Sequence, residues 1–119
     1  MIKVVPKKWG REEWIVNDEY CGKILFIRKN CCTSIHLHTQ KKETLFVLSG
    51  EIQLEWALLQ DFNKKRRFTH CISLSKGQSF TLFQSIVHKI SGIGKNTKVL
   101  EVSTHHEESD TTRLKDERI

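Results

Sequence analysis

The sequence contains no long hydrophobic run. Nowhere do roughly 18 apolar residues follow one another, as a membrane-spanning helix requires. The first residues, MIKVVPKKWG, reach a proline and two lysines too early for the apolar segment of a secretory signal peptide. We therefore expect a cytoplasmic protein that does not associate with a membrane.

Paired cysteine motifs are also missing. The four cysteines, Cys21, Cys31, Cys32 and Cys71, have no CxxC spacing and therefore do not indicate a zinc knuckle. We interpret them as reduced thiols that fill space in the protein. The alternative is a redox or metal-ligand role for one of them.

Regular helical periodicity is scarce, and the chain has one proline. Apolar and polar residues instead alternate in short segments, most clearly in EIQLEWAL, which is typical of half-buried strands. Turn residues separate nine such segments, at positions 12–17, 23–29, 34–38, 43–49, 51–58, 67–74, 79–83, 86–90 and 98–104. Many short strands with tight turns predict an all-β sandwich or small barrel.

The chain length of 119 residues predicts one domain that spans residues 1–119. Residues 1–22 are its N-terminal lead-in. Residues 105–119 are a polar C-terminal tail, which we interpret either as a short closing helix or as a mobile end.

Basic residues outnumber acidic residues by 20 to 14, which gives a formal net charge of +6. The densest basic run, KKRR at residues 64–67, has no aromatic residues interleaved with it. We therefore interpret this run as a solvated hairpin loop and do not predict nucleic-acid binding. A basic surface does suit a small anionic substrate, which it can steer toward a site.

Two histidines stand two positions apart in HLHTQKKETLFVLSG, residues 36–50. On a strand, His36 and His38 project from one face, and Glu43 can face the same point if the next strand pairs with the first. Two imidazoles and a carboxylate can bind a metal and leave positions open for substrate. His88, on another predicted strand, could add a third imidazole. The alternative is that these are ordinary surface or core histidines.

The same stretch resembles the first cupin motif, in which HxH, three or four residues, Glu, six residues and Gly follow in order. GQSFTLFQSIVHKISG is similar to the second cupin motif, whose histidine is the fourth metal ligand. Asn30, Phe83, Ser85 and Gly92 stand where these motifs have glycine, proline, glycine and asparagine. The resemblance implies a cupin double-stranded β-helix, a conical barrel of two antiparallel sheets with the metal in its mouth.

The resemblance also implies a ligand set of His36, His38, Glu43 and His88 around one divalent transition metal. Zinc, manganese, iron, cobalt and nickel all remain possible, because these ligand types do not select one of them.

The flanking segments narrow the resemblance. KKWGREEWIVNDEYCGKILFIRK resembles the lead-in of the cupin domain of type II mannose-6-phosphate isomerases. LEVSTHHEESDTTRLKDERI resembles the end of the same domain, including Asp110, Arg113 and Asp116. This likeness implies an aldose–ketose isomerase that acts on a sugar or a sugar phosphate.

Isomerisation needs a base that moves a proton between adjacent carbons. Lys23 and Glu101, both on predicted strands, are candidates, and the alternative is that they are surface charges. His70 shares a strand face with Leu74, so we expect it to point inward as a base or as a satisfied core histidine. By resemblance, Arg113 would bind a phosphate group; the alternative is a salt bridge within the tail.

Two other functions are compatible with the same ligand set. One is an iron-dependent small-molecule dioxygenase, and the other is a non-catalytic metal- or carbohydrate-binding cupin. The flanking resemblance and the basic charge favour the isomerase. We also expect a homodimer, because the predicted strands leave sheet edges to cover.

Overall fold

The computed structural model describes residues 2–114. Within them, eleven strands form two antiparallel sheets, with the orders β1-β2-β3-β10-β5-β8 and β11-β4-β9-β6-β7. The elements in chain order are β1 (Lys3–Lys7), β2 (Gly10–Asn17), β3 (Tyr20–Ile27), β4 (Ile35–His38), β5 (Glu43–Ser49), β6 (Glu51–Leu58), α1 (Leu59–Lys65), β7 (His70–Ser75), β8 (Ser79–Leu82), β9 (Ile86–Gly92), β10 (Thr97–Thr104), a 3-10 turn (Glu108–Asp110) and β11 (Thr111–Leu114).

The main core lies between the two sheets. Because successive side chains on a strand point to opposite faces, each alternating strand contributes every second residue to this interior. The buried members of the cluster are Trp9, Leu25, Ile27, Leu45, Val47, Ile52, Leu54, Leu74, Leu82, Ile90 and Val99. The expectation of an all-β fold with two antiparallel sheets is confirmed.

A second, smaller cluster covers the outer face of the five-stranded sheet. Ile35 and Leu37 lie on the face of β4 opposite its two histidines, and they pack with Phe62 of α1. The helix therefore buries one face of β4, which leaves the other face to the barrel interior. Within residues 2–114, neither α1 nor the 3-10 turn is long and apolar enough to cross a bilayer.

All nine predicted strands are present, with ends shifted by at most three residues. The basic run at 64–67 lies at the end of α1 and just after it, within the connection between β6 and β7. A helix in this connection, and the edge strands β1 and β11, had not been predicted.

The interpretation of the tail as a helix or a mobile end is wrong for residues 111–114. These residues form β11, which pairs antiparallel with the histidine strand β4. Asp116, named above by resemblance, lies outside the described residues.

Three turns show why the motif positions favour glycine. Gly50 has φ +76°, and a Cβ atom there would lie 2.2 Å from Oγ1 of Thr97, so only glycine fits between β5 and β6. Asn30 and Ser85, which replace motif glycines, also have positive φ, at 66° and 65°. The backbone thus keeps the left-handed turns where the sequence departs from the motif.

Candidate metal centre and its cavity

Three imidazoles converge inside the barrel at one end. β4 carries His36 and His38, and the neighbouring strand β9 carries His88, which is paired in register with His36. One ring nitrogen from each of the three lies within 4.8 Å of those of the other two. The structure therefore brings together the three histidines that the sequence had singled out, and this group could hold a metal ion.

The outer nitrogen of each ring is already engaged. In His36 and His88, Nδ1–H donates to the carbonyl oxygen two residues earlier in the chain, at 2.9 and 3.0 Å. Nδ1 of His38 lies 3.2 Å from Oγ1 of Thr111 on β11. In the neutral rings of His36 and His88 these bonds place the lone pair on Nε2, the atom that remains free to bind a metal.

Burial favours the uncharged form of the two rings on β4. It lowers the pKa of His36 to about 3, with a further contribution from nearby His88. Burial likewise lowers the pKa of His38 to about 4, although the charge of Glu43 opposes this shift. Neutral imidazole is the form that binds a metal, so His36 and His38 are in the required state at neutral pH.

Glu43, at the first position of β5, lies beside this group of three histidines. It is 4% exposed, with Oε1 3.4 Å from Nε2 of His88 and Oε2 3.8 Å from Nε2 of His38. Burial alone would raise the pKa of Glu43, but His88 in its protonated form and the Lys41 ammonium outweigh burial and hold that pKa well below its usual range.

Two buried atoms at this point have no hydrogen-bond partner within residues 2–114: Nε2 of His88 and Oε2 of Glu43. Both are acceptors when the imidazole is neutral and the carboxylate is ionised, so they cannot satisfy each other. Buried polar groups left in this state are costly. A cation between the rings and the carboxylate would satisfy them, and the donor set of three imidazoles and one carboxylate suits a divalent transition metal.

Lys41 places a fixed positive charge beside this group. It is buried, with Nζ 3.1 Å from Oε2 of Glu43 and 2.7 Å from Oε2 of Glu101. The contact between Lys41 and Glu43 is an ion pair and not a hydrogen bond, so Oε2 of Glu43 still has no hydrogen-bond partner within the described residues. Burial would lower the pKa of Lys41, but Glu101 and Glu43 together raise it, so the ammonium stays charged.

Lys23 and Glu101 are cross-strand neighbours on β3 and β10, and both are buried against the cavity. Burial, and then the nearby charge of Glu43, raise the pKa of Glu101. Burial lowers the pKa of Lys23, which lies 3.7 Å from the Glu12 carboxylate and 4.0 Å from the centre of the Trp14 ring. Neither residue is a surface charge, which was the alternative considered for each.

His106 also lines the cavity, although the sequence reasoning had not selected it. Its Nδ1 lies 3.1 Å from Nζ of Lys41, and its ring packs edge-on against Trp14 with centroids 5.3 Å apart. Asn17 fixes the segment by bonding both the N–H and the carbonyl of His106. Burial, with help from Lys41, lowers the pKa of His106 to about 3.

The cavity in front of these groups has a volume of about 330 Å³, which is suitable for a small molecule. Two edge strands from opposite sheets contribute basic residues to its lining: Lys3 and Lys7 from β1, and Arg113 from β11. Arg113 is the strand-pair neighbour of His36, and its guanidinium forms a 2.6 Å ion pair with the exposed Glu108.

The expectation that His70 points into the interior is wrong. His70 is exposed on β7, the edge strand of the five-stranded sheet, and its ring stacks on Trp56 with centroids 3.9 Å apart. It shares a strand face with Leu74, but that face is open to solvent at this end of the edge strand. His70 is not among the residues that line the cavity.

A sequence signal existed for one of the residues that were missed. Lys41 stands two positions before Glu43, so extension of the strand alternation backwards would place both side chains on one face. His106 and the two lysines of β1 carried no comparable signal, because only the folded arrangement of distant parts of the chain brings them to the cavity.

Comparison with known proteins identifies the fold. No protein-family model matches the sequence, and no curated protein is significantly similar to it. Solved structures do match the fold. CapF, a capsular polysaccharide assembling protein from Staphylococcus aureus, is 13% identical with a TM-score of 0.77 over 97% of this chain and 32% of its own. Oxalate decarboxylase from Bacillus subtilis is 12% identical with a TM-score of 0.79 over 95% of this chain and 30% of its own.

KdgF from a Halomonas species is closer to this chain in length. It is 11% identical with a TM-score of 0.73, and the match covers 92% of this chain and 91% of KdgF. The chain spans about a third of CapF and of oxalate decarboxylase. All three neighbours are cupin-fold proteins, and this chain has the cupin fold.

Proposed function

We propose that this protein is a metal-dependent enzyme that interconverts an aldose and a ketose, with a small sugar or sugar phosphate as its substrate. The observation that carries the proposal is the position of Lys41, which joins the candidate ligand Glu43 to the buried Glu101 within one cavity. A metal-binding group and a second pair of ionisable groups are thereby placed beside the same small-molecule space.

The metal would be held by His36, His38, Glu43 and His88. When bound, such a cation polarises a carbonyl or hydroxyl oxygen of the substrate and so makes the adjacent carbon more acidic. Barrel strands position all four side chains, and the Nδ1 bonds of His36 and His88 orient the rings before any ligand arrives. The site is therefore preorganised by this chain's own residues.

Glu101 and Lys23 are the proposed proton-moving groups. The raised pKa of Glu101, caused by burial and then by Glu43, makes its carboxylate a better proton acceptor than an exposed glutamate. Lys23, whose pKa is lowered by burial, lies on the adjacent strand and can return a proton. Lys41 fixes the orientation of the Glu101 carboxylate through their 2.7 Å contact.

The basic residues that line the cavity favour a negatively charged substrate. Lys3, Lys7 and Arg113 supply cations along the cavity wall, and the chain has a net charge of +6. These groups favour a substrate whose far end carries an anionic group such as a phosphate, for which Arg113 could provide two parallel hydrogen bonds. The resemblance of the flanking segments to type II mannose-6-phosphate isomerases supports the same substrate class.

The test is solvent deuterium exchange at C2 across a panel of aldoses and aldose phosphates, measured by proton NMR. Protein loaded with manganese or zinc should exchange this proton for at least one member of the panel. Glu101→Gln should abolish exchange while metal is still bound, and His36→Ala should lose both. Complete absence of exchange with every sugar would refute the isomerase. Oxygen consumption by iron-loaded protein would instead support a dioxygenase, and sugar-dependent thermal shifts without turnover would support a binding protein.

A further inference from the structure

We propose that Asp110 is a positioning residue for the metal centre, an inference that rests on the metal site of the proposed function. Asp110 lies in the C-terminal segment and is not one of the candidate ligands. It anchors residues 39–41 of the loop that joins the histidine strand β4 to Glu43, and so helps to hold the carboxylate ligand and Lys41 in place.

The carboxylate of Asp110 accepts four hydrogen bonds from three consecutive loop residues. Oδ1 receives the backbone N–H of Thr39 at 3.0 Å, the hydroxyl of Thr39 at 2.7 Å and the backbone N–H of Gln40 at 2.9 Å. Oδ2 receives the backbone N–H of Lys41 at 3.0 Å. Successive backbone N–H groups arranged in this way form a concave site for an anion, which Asp110 fills.

The loop that Asp110 anchors lies between two candidate ligands. Its four residues connect the last residue of β4, His38, to the first residue of β5, Glu43, so the loop joins two candidate ligands. Thr39 and Gln40 are exposed, so their order depends on the bonds to Asp110. Thr104 separately holds Lys42 by bonding both its N–H and its carbonyl. Lys41, between Gln40 and Lys42, turns inward to contact the Glu43 carboxylate. Loss of the anion would therefore release the first three loop residues, including Lys41, and loosen the approach to the adjoining Glu43.

The neighbouring residue reinforces this assignment. Thr111 follows Asp110 directly, and its hydroxyl lies 3.2 Å from Nδ1 of His38. One turn of the C-terminal segment thus contacts the ring of one candidate ligand and the loop that leads to another. Asp110 does not line the cavity, so it acts through the candidate ligands and not on a substrate.

The chemistry of the four hydrogen bonds determines how substitutions should behave. Alanine removes all four acceptor interactions. Asparagine keeps one carbonyl oxygen, which can still accept at the Oδ1 position, but its amide nitrogen cannot accept from the N–H of Lys41. Charge-assisted bonds are also stronger than neutral ones, so Asp110→Asn should show an intermediate loss.

The experiment is a cobalt(II) titration of the full chain, followed by visible absorption and by competition with a chelator of known affinity. Asp110→Ala should weaken cobalt binding about 10- to 100-fold, the usual effect of removing a group that orients a ligand. Asp110→Asn should lie between it and the unchanged protein, and both should alter the cobalt spectrum. Asp18→Ala, an exposed aspartate in the turn between β2 and β3, is the matched control and should change neither.

A double-mutant cycle separates positioning from general loss of structure. In a Glu43→Gln background the additional effect of Asp110→Ala on cobalt affinity should become small, because the ligand on which it acts has gone. A purely structural role would lower thermal stability and leave the cobalt spectrum and affinity of the folded fraction unchanged, which would overturn the proposal. Binding within twofold of the unchanged protein would also overturn it. Failure of the unchanged protein to bind cobalt would refute the metal site of the proposed function, and this inference with it.

Discussion

The cavity has two sides that differ in how their polar groups are satisfied. We call the first the imidazole side; it consists of His36, His38 and His88 and belongs to the five-stranded sheet. The second, the lysine–carboxylate side, consists of Lys23, Lys41 and Glu101. Lys23 and Glu101 belong to the six-stranded sheet, and Lys41 belongs to the loop between β4 and β5. Glu43 lies between the two sides and contacts both.

On the imidazole side the outer nitrogen of each ring is engaged, and the inner nitrogen of His88, Nε2, has no hydrogen-bond partner within the described residues. The lysine–carboxylate side is balanced internally by the 2.7 Å pair between Lys41 and Glu101. A bound cation should therefore stabilise the imidazole side, whereas Lys41 already stabilises the lysine–carboxylate side.

The largest effect is expected from Lys41→Met, which removes the cation shared by two buried carboxylates. Removal of one partner from a buried ion pair typically costs about 3–5 kcal/mol in the free energy of unfolding. Chemical denaturation of metal-free protein measures this cost. Lys42→Met, at the exposed neighbouring position, is the control and should change stability by less than about 0.5 kcal/mol. Equal losses for the two variants would contradict the distinction between the sides.

Metal removal should act on the imidazole side alone. Bound metal at 100 times its dissociation constant stabilises the folded state by about 2.7 kcal/mol, and a chelator removes that contribution. The melting temperature of the unchanged protein should therefore fall on chelation, whereas that of His36→Ala should stay constant. A fall of the same size in His36→Ala would place the metal somewhere else.

Acid should destabilise the metal-free protein through the same histidines. His36 and His38 have folded-state pKa values of about 3 and about 4, against an ordinary value of 6.5. Between these values the unfolded chain binds more protons, so stability is fully present above pH 6.5 and is lost as the pH falls toward the folded-state values. Each ring contributes a slope of up to about 1.4 kcal/mol per pH unit.

Denaturation curves collected from pH 7 to pH 5 test this slope. His36→Gln should flatten it, whereas His70→Gln, which changes an exposed histidine outside the cavity, should leave it as it is. A slope that is insensitive to His36→Gln would show that this ring is not buried in its neutral form.

The smallest effect on stability is expected at Arg113, which lines the cavity. Arg113 is half exposed and its pair with Glu108 lies at the surface, so Arg113→Gln should change the free energy of unfolding by less than about 1 kcal/mol. If a phosphorylated substrate turns over, the same variant should raise its KM more than that of the unphosphorylated sugar. An equal change for both substrates would remove Arg113 from anion binding.

The sequence predicted the imidazole side and the strands that carry it because both depend on short-range patterns. Side chains alternate along a strand, so HxH places two rings on one face, and a fixed spacing to Glu43 and Gly50 defines the following strand and turn. The tight turn at Gly50 was likewise predictable from the glycine that ends an apolar segment, whereas the contact with Thr97 that admits only glycine there is visible only in the structure.

The lysine–carboxylate side could be predicted only in part, because it depends on which strands become neighbours. Lys23 and Glu101 lie 78 positions apart in the chain and meet only when β3 pairs with β10. His70 failed as a prediction for a related reason: its strand alternates correctly, but the position of β7 at a sheet edge leaves that face exposed. Alternation shows which residues share a face and not whether another sheet covers it.

The metal content of the purified protein tests the central claim most directly. We expect about one divalent transition-metal ion per chain after reconstitution, measured by elemental mass spectrometry on folded, desalted protein. The double variant His36→Ala/His88→Ala should retain less than a tenth of that content. The same metal content in both proteins, or no bound metal in the unchanged chain, would contradict the assignment of this barrel interior as a metal centre.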